Sequence, residues 1–490
     1  MNEPFILSID QGTSGTKTVI FDDQGRIVAK ASEGLKSYFP ETEFVEQDPL
    51  EIYQNVLNSV KKCIKTFRQR ITACGISNQR ETFLLWDKEG NPLSRAVVWQ
   101  CKRSIAVCEN LKKRGIEREV TARTGLIIDP YFSGTKVIWL NKNDTMIHDA
   151  ISRGKAYFGT IDTWILYKLT KGKNYYTDYT NASRTLFFNI NNLQWDEMLL
   201  REFHLQNLQL PKPKPSSYPY GETDFEGLFP YKISISAMIG DSHAAAFGEG
   251  CFFPGTAKAT LGTGSSILMN TGDRRSESNT GMVSTICWSR KHRVDYALEG
   301  IIVTAGATIK WLRDQLGFFG KSKDTEEMAR AVENNGGVYL VPAFSGLGAP
   351  YWRMDMKAAI FNLTFACNKN HIVRAALESI PFQIKDVVNA IETDSGIKLR
   401  ELKVDGGITA NLFVMQFLAD LLNVKVTNIG IEEVSALGAS YLAGLEVGVY
   451  NSLEQLESLV LSKKQHSPCE KQKEVFKFYE DWKKNVKRLL

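Results

Sequence analysis

Two carboxylates and three glycine-rich turns are the parts of this 490-residue chain with the residue types and spacing for chemistry. Asp10 closes the apolar run Phe5 to Ile9 and is followed by Gln11-Gly12-Thr13-Ser14-Gly15-Thr16-Lys17. Asp241 follows a second run, Ile233 to Ile239. Further on, Ala257 to Leu261 leads into Gly262-Thr263-Gly264-Ser265-Ser266, and Leu402 to Val404 into Asp405-Gly406-Gly407. Glycine lets a turn's backbone approach a ligand, the N–H and hydroxyl groups of such turns bind phosphate oxygens, and a lysine such as Lys17 can neutralise charge. A strand-end carboxylate can reach a hydrated divalent cation or take the proton of an attacking hydroxyl. Together these features point to nucleotide-dependent phosphoryl transfer. The first turn lacks GxxxxGK[ST], so it is not a Walker A loop.

Strand ends have to deliver these groups, and the flanking sequence reads that way. Phe5 to Asp10, Val19-Ile20-Phe21 and Ile27-Val28-Ala29, separated by tight turns, predict a meander of strands. Asp48-Pro49-Leu50-Glu51 has the order N-cap, N1 proline, N2, capping-box acid, and apolar residues recur at helical spacing from Leu50 to Ile64. Ile71 to Ser77 predicts a buried strand that delivers Asn78-Gln79-Arg80-Glu81, with further strands at Phe83 to Trp86 and Ala96 to Trp99. Open α/β sheets bind ligands at such strand ends. Gly125 to Lys136 predicts a loop entering a helix, and the polar stretch Thr177 to Arg184 predicts loop. The Pro-rich Pro211 to Ser217 reads as an excursion within the first domain. Ala257 to Met269 then repeats the strand, turn, strand order of the N-terminus, which suggests a duplicated domain. Helices are predicted at Ile372 to Ile391 and Asn411 to Leu422, the latter behind the third glycine turn.

The length exceeds what one core usually organises, and we expect two domains, 1–248 and 249–490. Sixty Lys and Arg against fifty-five Asp and Glu give a net charge of +5, too small and too dispersed to indicate nucleic acid. The basic cluster Lys483 to Arg488 reads as the solvated face of a last helix. Eight scattered cysteines without CxxC pairs and an N-terminus without a signal segment lead us to expect a cytoplasmic protein. No apolar run approaches a membrane span, so no membrane insertion is expected. Cys101 and Cys108 are expected to be half-buried packing residues.

Longer blocks carry a resemblance. Asp10 to Thr13, Asn78 to Thr82, Trp99-Gln100-Cys101, Gly125 to Lys136, Asp178 to Arg184, Val341 to Trp352 and Val404 to Gly407 resemble the glycerol kinase branch of the FGGY carbohydrate kinases, over nearly the whole chain. The resemblance implies an α/β fold of two duplicated ribonuclease-H-like domains, as in actin-like ATPases, with an interdomain cleft. It also implies ATP and Mg2+ as cofactors, a small polyol or ketose as substrate, and leaves a homo-oligomer open. By it, Asp241 is the general base and Asp10 holds magnesium through water. Thr13, Ser14, Lys17 and Thr263 surround the phosphates, while Gly306, Gly407 and Asn411 line the adenosine. Arg80, Glu81, Tyr131 and Asp241 meet the substrate hydroxyls, and Trp99 packs on its carbon chain.

The sequence departs from that branch beside the acceptor. Ser242-His243 stands where two glutamines usually follow the base, and Ser265-Ser266 where Cys-Phe is usual. Ser242 and Ser266 therefore predict a larger, more hydrophilic pocket, suited to a four- or five-carbon polyol or ketose. Lys17 replaces an Arg, Lys310 a Gln near the adenine, and Asn362 a signature Gly. His243 reads as structural. The segment Tyr220 to Lys232 lacks the Gly-rich, Arg-containing loop that binds fructose 1,6-bisphosphate in many bacterial members. The competing readings are glycerol itself as substrate, a non-catalytic nucleotide-binding sensor of the same fold, and a mechanical ATP hydrolase. An intact Asp241 and Arg80-Glu81 argue against the sensor, and the lack of an added peptide-binding domain after Leu402 argues against the hydrolase.

Overall fold

Strand Phe5–Gln11 lies at the centre of a six-stranded sheet in the computed structural model, which describes residues 3–431, 433–460 and 464–490. It pairs antiparallel with Gly15–Phe21, which pairs antiparallel with Ile27–Gly34. On its other side Ile71–Asn78 and then Ile233–Gly240 run parallel to it, and Ser217–Thr223 closes the edge antiparallel. The strand is apolar from Phe5 to Ile9 except for the buried Ser8, because both its faces are covered. Phe5, Leu7 and Ile9 pack under helices Pro49–Lys65 and Ile161–Leu169, whereas Ile6 joins a core between the two halves of the molecule. Each such buried aliphatic side chain contributes about 1.5–3 kcal/mol.

The second half repeats this order. Thr256–Leu261 pairs antiparallel with Ser265–Gly272, which pairs with Arg293–Ile302. Glu401–Asp405 and Lys425–Asn428 then run parallel to it, and Lys464–His466 closes the edge antiparallel. One strand, Val283–Arg290, is added beyond Arg293–Ile302. Helices Gly306–Asp314, Lys369–Ser395 and Leu412–Leu422 bury the outer face. Between the sheets, helix Asp241–Gly248 crosses Val434–Glu446, which returns from the second half to pack on the first sheet. The crossing is close enough that a Cβ on Gly438 would lie 1.8 Å from the Ala244 carbonyl oxygen.

Several local expectations change. Asp48 caps Pro49–Lys65 by accepting from the N–H groups of Leu50 and Glu51, but the Glu51 carboxylate accepts from Lys36 N and not from the cap residue. The stretch read as loop at 177–184 contains the end of strand Tyr176–Asp178 and the helical turn Tyr179–Ala182, almost wholly buried. Its polar side chains bond to one another and to the strand ends, so polarity there reflects a buried network. Cys101 and Cys108 are fully buried, and Cys101 precedes helix Ile105–Lys113. Lys212–Lys214 pairs with Tyr176–Asp178 inside the first lobe. No helix among the described residues is long and apolar enough to cross a membrane.

Candidate active site

Asp241 is placed by a switch from strand to helix. Strand Ile233–Gly240 ends one residue earlier, where the Gly240 N–H donates to Thr180 Oγ1 at 2.9 Å, and helix Asp241–Gly248 begins at once. A Cβ on Gly240 would lie 2.6 Å from the Arg80 side chain, so the site requires glycine. Thr180 in turn donates to Asp178, which caps the helical turn Tyr179–Ala182. Burial, with Asp162 nearby, pushes the Asp178 carboxyl up to about 7. Asn181 and Asn78 exchange amide hydrogen bonds of 2.9 and 3.0 Å. The segment 178–184 therefore clamps the ends of two parallel strands at the level of the cleft.

Arg80 and Arg184 lie within a buried ionic network that crosses the lobes. Arg80 Nε is 3.3 Å from Asp241 Oδ1, and its Nη2 is 3.2 Å from Glu299 Oε1. Arg184 Nε donates to Glu81 Oε1 at 2.6 Å, and its Nη1 lies 2.8 Å from Glu299 Oε2. Ser266 Oγ donates to Glu299 Oε1 at 2.9 Å. Burying such charges costs several kcal/mol per ion unless each is paired. Burial pushes the Glu299 carboxyl up, but Arg184 and Arg80 outweigh it and hold the group well below its ordinary range. At Glu81 burial wins over Arg184 and Arg80, and the carboxyl is raised. Glu81 is also in the left-handed backbone region, with φ 59°, a conformation that costs energy and collects at functional sites.

Arg80, Glu81, Asp241 and Ser266 of this network face a cavity of about 240 Å³, with Arg184 and Glu299 behind them. Thr13, Arg80, Glu81, Trp99, Tyr131 and Asp241 line it, and Ser242, Thr260 and Ser266 complete the wall. Trp99 Nε1 donates to Thr13 Oγ1 at 2.9 Å, and its ring meets Tyr131 edge-on at 5.5 Å between centroids. The Tyr131 carbonyl is held by the buried Lys136 ammonium at 2.8 Å. A second cavity, of about 480 Å³, opens on the second lobe. Thr263, Gly306, Gly407 and Asn411 line it together with Lys310 and Glu326. Gly306 and Gly406 allow close passage of backbone there: a Cβ would lie 2.7 Å from Gly262 O and 2.5 Å from Leu261 O respectively. Asn411 caps helix Leu412–Leu422 by accepting from Val414 N.

Residues 5–248 match the N-terminal domain, and residues 257–447 the C-terminal domain, of the FGGY family of carbohydrate kinases. The chain belongs to that family. This FGGY kinase is 46% identical to a glycerol kinase of Thermoanaerobacter sp. (strain X514), over 99% of its own length and 98% of the relative's. It is 44% identical to glycerol kinase 2 of Thermotoga maritima over 99% of both chains. Its structure is similar to that of Plasmodium falciparum glycerol kinase with ADP, at a TM-score of 0.95 and 37% identity, covering 100% of this chain and 98% of the other. A gluconate kinase from Lactobacillus acidophilus shares the fold at a TM-score of 0.90 and 21% identity, covering 100% of this chain and 98% of that one. The FGGY kinase is thus an ATP-dependent phosphotransferase acting on a sugar or polyol.

The remaining candidates fall outside the cavities. Asp10 accepts from Ser77 Oγ at 2.9 Å, and burial, with Asp241 nearby, pushes its carboxyl up to about 6. Two carboxylates held near each other suit a divalent cation that keeps most of its waters. No group of three or more His, Cys, Asp or Glu among the described residues is arranged as a metal site in itself. Ser14 is exposed at the tip of the first turn. Lys17 pairs with Glu433 at 2.7 Å, across from the turn it was expected to serve. His243 is buried with Nε2 3.4 Å from Thr285 Oγ1 and lines neither cavity. Glu299, Arg184, Thr180 and Thr260 had no role assigned from sequence. Arg184 and Thr180 are visible only as members of a polar block, and Glu299 sits in a strand whose two acids, Asp295 and Glu299, alternate with buried apolar residues and are the signal.

Proposed function

We propose that this kinase phosphorylates a terminal hydroxyl of a small polyol or ketose bound in the 240 Å³ cavity. The observation that carries the reading is the convergence of Asp241, Arg80, Glu81, Tyr131 and Trp99 on that one space. The acceptor oxygen attacks the γ-phosphorus of ATP, the bond from that phosphorus to the bridging β-γ oxygen breaks, and Asp241 takes the hydroxyl proton. Arg80 and Glu81 supply donors and an acceptor for neighbouring hydroxyls, and Trp99 covers the carbon chain. The nucleotide lies on the second lobe, with Thr263, Gly306, Gly407 and Asn411 around it and Thr13, Ser14 and Lys17 reaching the phosphates from the first. For Lys17 this requires exchange of Glu433 for a phosphate oxygen. Asp10, with Asp241 beside it, would hold magnesium, whose charge neutralises the phosphate oxygens. Eight free cysteines fit a reducing cytoplasm.

Ser242 and Ser266 leave the far end of the cavity open and hydrophilic, which favours acceptors of four or five carbons. The second reading, glycerol, is favoured by relatives named glycerol kinase at 44–46% identity. The test is kcat/KM for ATP-dependent phosphorylation across glycerol, dihydroxyacetone, erythritol, threitol, erythrulose, xylulose and ribulose, for the native chain and for Ser242→Gln/Ser266→Phe. A longer acceptor should lead by about 10–200-fold, and the double substitution should move preference towards glycerol. Clear preference of the native chain for glycerol over every longer acceptor would establish the second reading.

A further inference from the structure

The duplicated strand order lets positions in the two lobes be matched by register. Phe5–Gln11 corresponds to Thr256–Leu261, since each pairs antiparallel with the next strand and parallel with one that arrives later. Counting back from Gly12-Thr13 and Gly262-Thr263, Thr260 stands where Asp10 stands. Their parallel neighbours match too: Asp10 pairs with Ser77, and Thr260 with Asp405. In the first lobe the hydroxyl supports the carboxylate, Ser77 donating to Asp10. In the second the hydroxyl stands in front, for Thr260 lines the acceptor cavity with Asp241 and Thr13.

Behind Thr260, two residues back on the same strand face, Lys258 is buried with Nζ 2.5 Å from Thr260 Oγ1 and 3.3 Å from Asp405 Oδ2. An ammonium has protons to give and no lone pair, so Thr260 must accept in that bond. Its own O–H is then left to donate elsewhere, and no other hydrogen bond among the described residues uses it. The residue is half-buried at the cavity wall, two positions before the second glycine turn, where a phosphoryl group passing from nucleotide to acceptor must travel.

We propose that Thr260 is a further catalytic residue: its hydroxyl, oriented by Lys258, donates a hydrogen bond to a non-bridging oxygen of the phosphoryl group during transfer. Lys258 is then a positioning residue. The proposal rests on the kinase reading with Asp241 as base. Thr260 keeps its proton and no bond to it forms or breaks. In a loose transition state charge spreads over the equatorial oxygens, so a preorganised donor there raises kcat more than it tightens substrate binding.

The test compares the native chain with Thr260→Val, which keeps the shape and removes the hydroxyl, and Thr260→Ser, which keeps the donor. Thr260→Val should lower kcat by about 10–100-fold with polyol KM and ADP affinity within about twofold, and Thr260→Ser should recover most of the loss. Affinity for ADP with aluminium fluoride, measured with saturating polyol, should fall by the same factor as kcat. A kcat for Thr260→Val within about threefold of native overturns the proposal. So does an equal loss of affinity for ADP alone, which marks a structural role. If Asp241→Asn keeps turnover while Thr260→Val loses it, the assignment of the base fails and the donor role of Thr260 stands.

Discussion

The two lobes share a strand order but admit their long insertions at different points. In the first, residues 79–216 enter between strands Ile71–Asn78 and Ser217–Thr223, and in the second, residues 303–400 enter between Arg293–Ile302 and Glu401–Asp405. The first insertion brings Trp99 and Tyr131 to the 240 Å³ cavity, with Thr180 and Arg184 holding Gly240 and Glu81 behind its wall, and the second brings Gly306, Lys310 and Glu326 around the 480 Å³ cavity. Strand ends have diverged as well, with Asp10 in one lobe and Thr260 in the other. A duplicated sheet can thus keep its hydrogen-bonding order while insertions and strand-end residues diverge, and the proposed function uses that divergence: proton and cation chemistry on one side, nucleotide binding on the other.

What joins the lobes should break first. Glu299 reaches from the second lobe to Arg80 and Arg184 of the first, so Glu299→Ala leaves two buried guanidinium groups without their shared anion. The expected loss is about 3–5 kcal/mol of stability by urea unfolding. A loss under about 1 kcal/mol would mean that the network is not what ties the lobes. Gly438→Ala tests the helix crossing, where the new methyl meets the Ala244 carbonyl. It should cost about 1–3 kcal/mol, and a neutral result would mean that the two helices can separate at the crossing without loss.

Legibility in the sequence followed the physics of each part. Apolar runs ending in an acid or a glycine turn are visible because a strand covered on both faces must be largely apolar, and Phe5–Gln11 and Ile233–Gly240 are so up to their ends, interrupted only by small serines. The duplication was visible at its turns. The block 178–184 was not, because Asp178, Thr180 and Asn181 are polar in composition yet satisfied by one another in the interior. Composition and periodicity carry no signal for a partner over a hundred residues away, such as Arg184 for Glu81 or Glu299 for Arg80. Motif resemblance placed Arg80, Glu81, Trp99, Tyr131 and Asp241 as a group, and all five line one cavity.

A smaller effect separates the lobes by pH. Glu249, just past the end of helix Asp241–Gly248, is buried, and neither carboxylate oxygen has a hydrogen-bond partner among the described residues. Burial, with Asp405 close by, pushes its carboxyl up to about 8. A raised acid binds its proton more tightly in the folded chain, so its contribution to stability is full below about 4.5 and is lost as pH rises to about 8. Asp178 acts in the same sense but has finished by about pH 7. Glu249→Gln should therefore gain up to about 3 kcal/mol over the native chain on going from pH 5 to pH 8, still rising between pH 7 and 8. A gain that is the same at both ends would mean that Glu249 is ionised in the folded protein.

In the proposed function the first lobe's Asp241 takes the proton from an acceptor held by Arg80, Glu81 and Tyr131. The direct measurement is kcat of Asp241→Asn with the best polyol acceptor, beside ADP and polyol affinities. Asp241 acting as the base requires a fall of about 10²–10⁴-fold in kcat with both affinities largely kept. Retention of more than about a tenth of native kcat would contradict it.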